Sequence, residues 1–393
     1  MKILELLNPE KFEYNWAKIE SIPEFAKLKE CEQSKKWHQE GTAWDHTVKV
    51  CEEAVKRLKE MDENTEGCIY YRIYILMAAA LFHDIGKGVT TEFSKGDWHS
   101  YRHEVESDKM TRFLLWDEDI VIRETVCGLV RWHMDVLPCL EGRNVLEKII
   151  SLSKKVSSLE LLLYLKEFDI LGSIQADKDG KKRDLEKLNS IWHIATTLNA
   201  VRGPSIMRPF DLLPHKVIGF NMARVYLFLG ISGSGKSTAA QKIMESEGEN
   251  AAYINRDSIR AELGVCGYGE KAVGTPEEEE AVTKEEQRRI LEAARSNKLI
   301  VIDNLNIKKK YREAYRKLLI DNRFYPQIAY YYIQAPSFEE NIKRREGSVP
   351  EEVLKQMIFN IEWPTQDEYN VLNLLISNTE NGTKNIHPYT EIS

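Results

Sequence analysis

The stretch that most constrains this chain is VYLFLGISGSGKST, residues 225–238. Five apolar, β-prone residues run into Gly230, Ile231, Ser232, Gly233, Ser234, Gly235, Lys236, Ser237 and Thr238, and a helix-forming segment follows. This is the G-x-x-x-x-G-K-[ST] pattern in its required setting of strand, glycine-rich loop and helix. The glycines let backbone N–H groups turn inward with no Cβ in the way, and the helix start adds its dipole, so the loop suits a polyphosphate. Lys236 is placed to reach the β and γ phosphates of ATP, and Ser237 to hold Mg2+.

The pattern changes character along the chain. With 393 residues, two domains are the expectation. Residues 1–202 read almost entirely as helices: 42–61, 70–82, 105–115, 120–131, 157–171 and 184–198 carry helical periodicity, and nothing alternates as a half-buried strand should. Pro204, Pro209 and Pro214 punctuate 203–220, a linker. Residues 221–393 then alternate between strand and helix. Strands are expected at 225–229, 251–255, 299–303 and 327–333. Helices are expected at 237–247 (stopped by Gly248), 257–263, 310–322, 338–345 and 350–359, with one more begun by Thr275 and Pro276 after a glycine-rich loop at 264–274. Glu277 to Glu280 sit where carboxylates favour a helix N-terminus, so they read as helix stabilisers and not as a metal site. The polar tail after Asn378 is expected to be loosely held. The predicted architecture is an all-α domain followed by an α/β domain with a parallel, three-layer arrangement.

Composition narrows the function classes. The net charge of -7 argues against a broad basic track, so any nucleic acid would bind locally, at an end. The longest apolar stretch, 69–82, is broken by Arg72 and is too short to span a bilayer, and the N-terminal segment lacks a leader's apolar core. A cytoplasmic protein with no membrane partner is expected. Cys31, Cys51, Cys68, Cys127, Cys139 and Cys266 form no C-x-x-C pair and read as reduced, structural thiols.

A second chemistry stands in the helical half. His83 and Asp84, in LFHDIGKG, end the most apolar helix, where two polar, metal-competent groups cost desolvation unless something coordinates them. His46 precedes them, His103 and His133 follow on other helices, and Asp169 interrupts LLLYLKEFDILGS. Separate helices can converge such groups on one site, as bundles do for paired metals. Mixed nitrogen and oxygen ligands suit Mn2+, Fe2+, Co2+, Ni2+ or Mg2+ better than structural zinc.

The order His, His-Asp, His, His, Asp over residues 40–175 resembles the HD phosphohydrolase superfamily. The stretches YRHEVESDKMTRFLL and VCGLVRWHMDVL look like the HD domains attached to CCA-adding enzymes. The resemblance implies His46, His83, Asp84 and Asp169 as core ligands, and His103 and His133 as the extra ligands of members that hold a second metal. It also implies phosphoester hydrolysis, in which a divalent ion activates water and polarises the phosphoryl oxygens. Lys87, one turn past the dyad, is either a catalytic group neutralising a phosphate oxygen or a solvated charge at a helix end.

A P-loop alone does not separate kinase from GTPase or motor, so the acceptor side must decide. In INRDSIR, Asp257 can accept the proton of an attacking hydroxyl, and Arg260, on the same helical face, can bind an acceptor phosphate. Asp303 ends the third strand near the usual Walker B position, in IDNLN, and Arg344 and Arg345 precede a glycine as a lid would. GISGSGKST, INRDSIR, IDNLN and KRREGSVPEEVL, over 225–357, look like the 5'-hydroxyl polynucleotide kinases of phage and bacterial RNA repair. That resemblance implies Asp257 as general base, Arg260, Asp303 and Asn306 at the acceptor, and Arg344 and Arg345 over the donor. The combined order resembles bifunctional end-healing enzymes. These phosphorylate the 5'-hydroxyl of an RNA or DNA end, hydrolyse a 2',3'-cyclic or terminal 2'- or 3'-phosphate, and supply a ligase. A small-molecule or nucleotide kinase joined to a nucleotide phosphohydrolase, and an ATP-switched regulatory HD module, share the same motifs.

Overall fold

The computed structural model describes residues 1–63, 70–177, 179–200, 221–265, 274–378 and 382–386, with the side chains of 378 and 382–386 excepted. The chain divides into two compact units, Met1–Ile206 and Met207–Ser393. The proposed linker at 203–220, Cys68, Cys266 and most of the glycine-rich loop fall outside the described residues.

The first unit is built on its principal helices α1 (Ala43–Glu63), α2 (Tyr70–Phe82), α3 (His103–Leu114), α4 (Ile120–Trp132), α5 (Val145–Ser153), α6 (Leu159–Gly172) and α7 (Gly180–Thr197). Every residue of α2 from Ile73 to Phe82 is buried, and α1, α4 and α6 pack around it. The run Tyr70–Thr90 is long and apolar enough to cross a membrane by composition, but 83% of its most apolar window is buried inside the unit, the position of a core helix. Gly172 lets α6 close on α1: a Cβ there would lie 2.6 Å from Val50 Cγ2 and 2.8 Å from its backbone nitrogen. That approach, one turn from Asp169, brings the carboxylate to His46.

The expectation of helices alone is corrected here. Strands β1 (Thr91–Ser94) and β2 (Asp97–Ser100) form a hairpin, and Leu7–Asn8 pairs with Glu13–Tyr14. Lys95 and Gly96 turn the hairpin with positive φ of 53° and 84°, the backbone that two-residue hairpin turns favour. No residue of β1 or β2 is fully buried, so the apolar/polar alternation that marks a strand never arises in the sequence. Helix α5 was likewise not anticipated.

The second unit holds β3 (Asn221–Leu229), α8 (Lys236–Glu247), β4 (Ala251–Ile254), α9 (Arg256–Glu262), α10 (Pro276–Arg295), β5 (Leu299–Asp303), α11 (Lys309–Asp321), β6 (Phe324–Gln334), α12 (Phe338–Arg345), α13 (Glu351–Phe359), β7 (Val371–Asn378) and β8 (Gly382–Ile386). The sheet order is β8-β7-β6-β3-β5-β4. Strands β4 to β7 and β3 pair in parallel; β8 runs antiparallel at the edge. Strand β7 extends the expected sheet, and the polar tail is corrected in part: 382–386 is held by five-residue pairing with β7. All five residues of β5 are buried, as a central parallel strand demands.

Candidate active sites

In the helical unit, four imidazoles and two carboxylates meet. His46 Nε2 lies 3.1 Å from Asp169 Oδ1, 3.4 Å from His83 Nε2 and 3.6 Å from Asp84 Oδ2. Asp84 spans two groups: Oδ2 is 3.2 Å from His83 Nε2, while Oδ1 is 3.1 Å from His103 Nε2 and 3.8 Å from His133 Nε2. The ligand atoms of His46, His83 and Asp169 lie within 4.8 Å of one another, and so do those of Asp84, His103 and His133.

The residues fit a divalent metal because of where each imidazole sends its other nitrogen. His83, His103 and His133 direct Nδ1 at the carbonyls of Ala80, Ser100 and Val130, at 2.9, 2.8 and 2.7 Å. A carbonyl only accepts, so Nδ1 carries the proton and the Nε2 lone pair points into the centre. His103 Nε2 is buried without a hydrogen-bond partner, facing a carboxylate oxygen that also only accepts. Two lone pairs aimed at each other in a buried site are stabilised by a cation. Burial and the neighbouring His83 push His133 down to about 3, which keeps it neutral. Burial opposes charge on Asp84, yet His83, Lys87 and His103 hold it well below the usual carboxylate range. His46 has Glu40 on Nδ1 at 2.8 Å and Asp169 on Nε2; burial opposes its charge, but the two carboxylates raise its pKa, so Nε2 favours a positive occupant, proton or metal.

The expected six residues are therefore brought together. Lys87 is not a solvated charge: it is buried, with Nζ 2.7 Å from Asp84 Oδ2 and donating at 2.7 Å to Gln33 Oε1. Gly86 makes this turn possible, because a Cβ there would lie 2.4 Å from the His103 carbonyl oxygen. Three participants were missed. Glu40 takes His46 and His38 on one carboxylate oxygen and the Ile174 N–H on the other, orienting His46 as a carboxylate orients a metal-bound imidazole. Burial would raise the Glu40 pKa, but the two histidine bonds hold it far down, while burial and Lys87 push His38 down to about 4. Lys166 donates to Asp169 at 2.7 Å. Glu40 and His38 lie in a loop with no periodicity to announce them; Lys166 stood at the i,i+3 spacing from Asp169, a signal that was there to use.

In the sheet unit, Gly230, Gly233 and Gly235 take φ of 144°, 78° and 96°, and α8 begins at Lys236. Lys236 Nζ folds onto its own loop, donating to the Ile231 carbonyl at 2.8 Å, and burial pushes its pKa down to about 8 against the attraction of Asp303. Ser237 and Thr238 are exposed beside it, and Ser232 gives its carbonyl to Asn341. Asp303 is buried and accepts from Tyr253 at 2.6 Å; Tyr253 was not foreseen. Asp257 is 68% exposed at the carboxyl end of β4, close enough to Lys236 for its charge to act there.

Three other site residues are placed differently from a free ligand-binding group. Arg260 donates to Glu279 through Nε and Nη2 (2.7 and 2.9 Å) and to Asp257 through Nη1 (2.7 Å). The reading of Glu277–Glu280 as helix stabilisers fits Glu277 to Glu279 in the first turn, with Glu278 closing a capping box on Thr275, and is extended at Glu279, which also clasps Arg256 and Arg260. Asn306 is buried and donates to the Phe228 carbonyl at 2.8 Å, a bond that ties β5's end to β3. The two lid arginines differ. Arg344 donates to Glu340, the Gly233 carbonyl and Ser377, whereas Arg345 Nε is buried with no partner and its Cγ lies beside Gly233.

Residues 43–162 match the HD domain family, and residues 225–364 match the AAA domain family. No curated protein matches the chain in sequence. Among solved structures, a gluconokinase from Sinorhizobium meliloti 1021 is 17% identical over 40% of this chain and 83% of that one, with a TM-score of 0.28. A sugar kinase from Janibacter sp. HTCC2649 is 19% identical over 39% of this chain and 85% of that one, with a TM-score of 0.31. The chain thus carries an HD-type helical domain followed by a P-loop α/β domain, two architectures associated with phosphate chemistry. The P-loop implies ATP and Mg2+, and the HD domain a divalent metal.

Proposed function

We propose that this chain heals broken nucleic-acid ends, with RNA as the principal substrate and DNA ends as a second. The observation that supports this most is the pairing, in one chain, of a P-loop having an exposed acceptor-side carboxylate with a converging imidazole and carboxylate centre. A carboxylate in that place suits transfer to a hydroxyl, not a nucleotide switch. Asp257 takes the proton of the 5'-hydroxyl as its oxygen attacks the γ-phosphorus of ATP and the bond to the β-γ bridging oxygen breaks. Lys236 and Arg345 neutralise the transferring charge, and Arg260 grips the acceptor phosphate once it leaves Glu279.

In the HD domain, His46, His83 and Asp169, and Asp84, His103 and His133, would hold one or two ions such as Mn2+, Co2+, Ni2+, Fe2+ or Mg2+. The metal supplies water activation and polarisation of the phosphorus. Lys87 and Lys166 donate to phosphate oxygens, and the product is a phosphate-free or ring-opened end that a ligase can use after 5'-phosphorylation.

The test is an RNA bearing a 5'-hydroxyl and a 2',3'-cyclic phosphate, incubated with labelled ATP and a panel of divalent ions, with both ends read. Label at the 5' end together with an opened 3' end is expected. Label passing only to free nucleosides or sugars, with the oligonucleotide untouched, would overturn the proposal.

A further inference from the structure

The HD centre opens into a cavity of about 360 Å³ whose lining includes Asp84, Asp169, Lys87 and Lys166 and also two indoles, Trp37 and Trp98. The carboxylates and lysines answer to metal and phosphate. The indoles answer to neither: they carry no charge and their N–H cannot match a phosphate's demand for cations, but their π faces suit another flat ring. Trp37 is 48% exposed, and Trp98 is half-buried, oriented edge-on by Phe93 with centroids 5.2 Å apart.

The backbone that carries each indole is braced, and Lys36 Nζ lies 4.6 Å from the Trp37 ring centroid, over one face, leaving the other for a base. Trp37 lies in the loop that also gives Gln33 to Lys87 and Glu40 to His46. Ser34 Oγ donates to Asp97 Oδ2 at 2.6 Å, joining that loop to the hairpin that carries Trp98. The Gln39 and Ala176 N–H groups bond the Ile174 and Lys36 carbonyls at 2.8 and 3.0 Å, bracing the loop on the segment after α6. Two aromatic side chains carried on braced backbone and lining one cavity lose less entropy on accepting a ligand than groups on free loops would. The volume lies at the small end of the range for a single small ligand and is too little for paired strands.

We propose that Trp37 and Trp98 form a stacking wall for the nucleobase of the phosphorylated terminal nucleotide, so that the HD site takes one unpaired nucleoside phosphate whatever its base. This rests on the phosphoesterase reading of the centre. Stacking reads the face that every base shares, so adenine and uracil are accepted alike, while a sugar phosphate without a base loses the contact.

The experiment uses the full, metal-loaded chain and compares adenosine and uridine 2',3'-cyclic phosphates with ribose 2',3'-cyclic phosphate. Trp37→Ala and Trp98→Ala should each raise KM for both nucleoside substrates by about five- to a hundredfold at nearly constant kcat, and leave the base-free substrate unchanged. Trp37→Phe and Trp98→Phe should restore most of the loss. Equal KM for the nucleoside and base-free substrates in the unaltered protein, or alanine variants that leave their ratio unchanged, would overturn the proposal. A cyclic phosphate on a blunt duplex turned over as fast as one on a single strand would also overturn it. If no phosphoester is hydrolysed, the phosphoesterase reading has failed and calorimetry decides the stacking claim separately. Tighter binding of the nucleoside than of the ribose cyclic phosphate, lost in the alanine variants, supports it; equal affinities refute it.

Discussion

On the proposed reading, the two domains grip phosphate by opposite means. The P-loop domain uses contiguous backbone, and three of its charged side chains rest in internal bonds: Lys236 on the Ile231 carbonyl, Arg260 on Glu279, Arg344 on Ser377. The HD domain uses side chains from separate helices, whose lone pairs and charges converge on one point and are fixed from behind by Glu40 and by carbonyls. A site made of backbone can wait with its cations parked on its own carbonyls and carboxylates. One made of converging ligands has lone pairs aimed at a common point, which a cation there satisfies together.

The largest effects should come from breaking each site alone. Asp84 serves both ligand groups and Lys87, so Asp84→Ala should lower phosphoester hydrolysis by more than the roughly 10–100-fold cost of a supporting residue, with 5'-phosphorylation intact. Asp84→Asn keeps an acceptor for Lys87 and should lose the same activity with less disturbance to folding, checked by circular dichroism. Asp257→Ala should lower 5'-phosphorylation by about 10²–10⁴-fold and spare hydrolysis. Loss of both activities in either folded variant would break the claim of independent sites.

Next in size is the difference between the two lid arginines. Arg345, whose buried Nε has no partner among the described residues, is the arginine proposed for the donor phosphates, so Arg345→Ala should cost about 10²-fold in kcat with little change in melting temperature. Arg344 ties the P-loop to β7, so Arg344→Ala should cost about 1.5–3 kcal/mol of stability and less in rate. The opposite pattern, measured by initial rates and thermal melts, would exchange the two roles. Smaller again is Glu40→Gln, which removes the carboxylate behind His46 and should weaken metal binding about 10–100-fold, read by metal titration of the stripped protein.

These contrasts follow what the sequence could and could not disclose. The P-loop was legible because its chemistry is contiguous; His83, Asp84 and Asp169 stood out because they interrupt apolar helices, while His46, His103 and His133 were singled out only through the resemblance to HD domains. Glu40 was not legible, since its place beside His46 depends on how a non-periodic loop folds back. The hairpin β1–β2 hid for lack of a buried face. Lone arginines next to each other could not be sorted by spacing, because Arg344 is bonded by Ser377, 33 residues on, in a strand that was not foreseen.

The smallest predicted effect sharpens the contrast from the P-loop side. Hydrogen bonds from Arg260, and then those from Arg256, hold Glu279 down to about 2 against the opposing effect of burial, from an ordinary 4.5. A carboxylate with a lowered folded pKa adds stability that is present above pH 4.5 and fades as pH falls toward 2. Because both partners are only partly buried and solvent screens the pair, that stability is about 0.2–1 kcal/mol. The melting temperature of Glu279→Gln should therefore trail the unaltered protein most at pH 5 and above, and the gap should narrow through pH 3 and close toward pH 2. If Arg260 serves the acceptor, freeing it from Glu279 should also lower KM for a 5'-hydroxyl oligonucleotide. A stability gap that closes with no change in KM would make the clasp purely structural and leave acceptor binding to other residues.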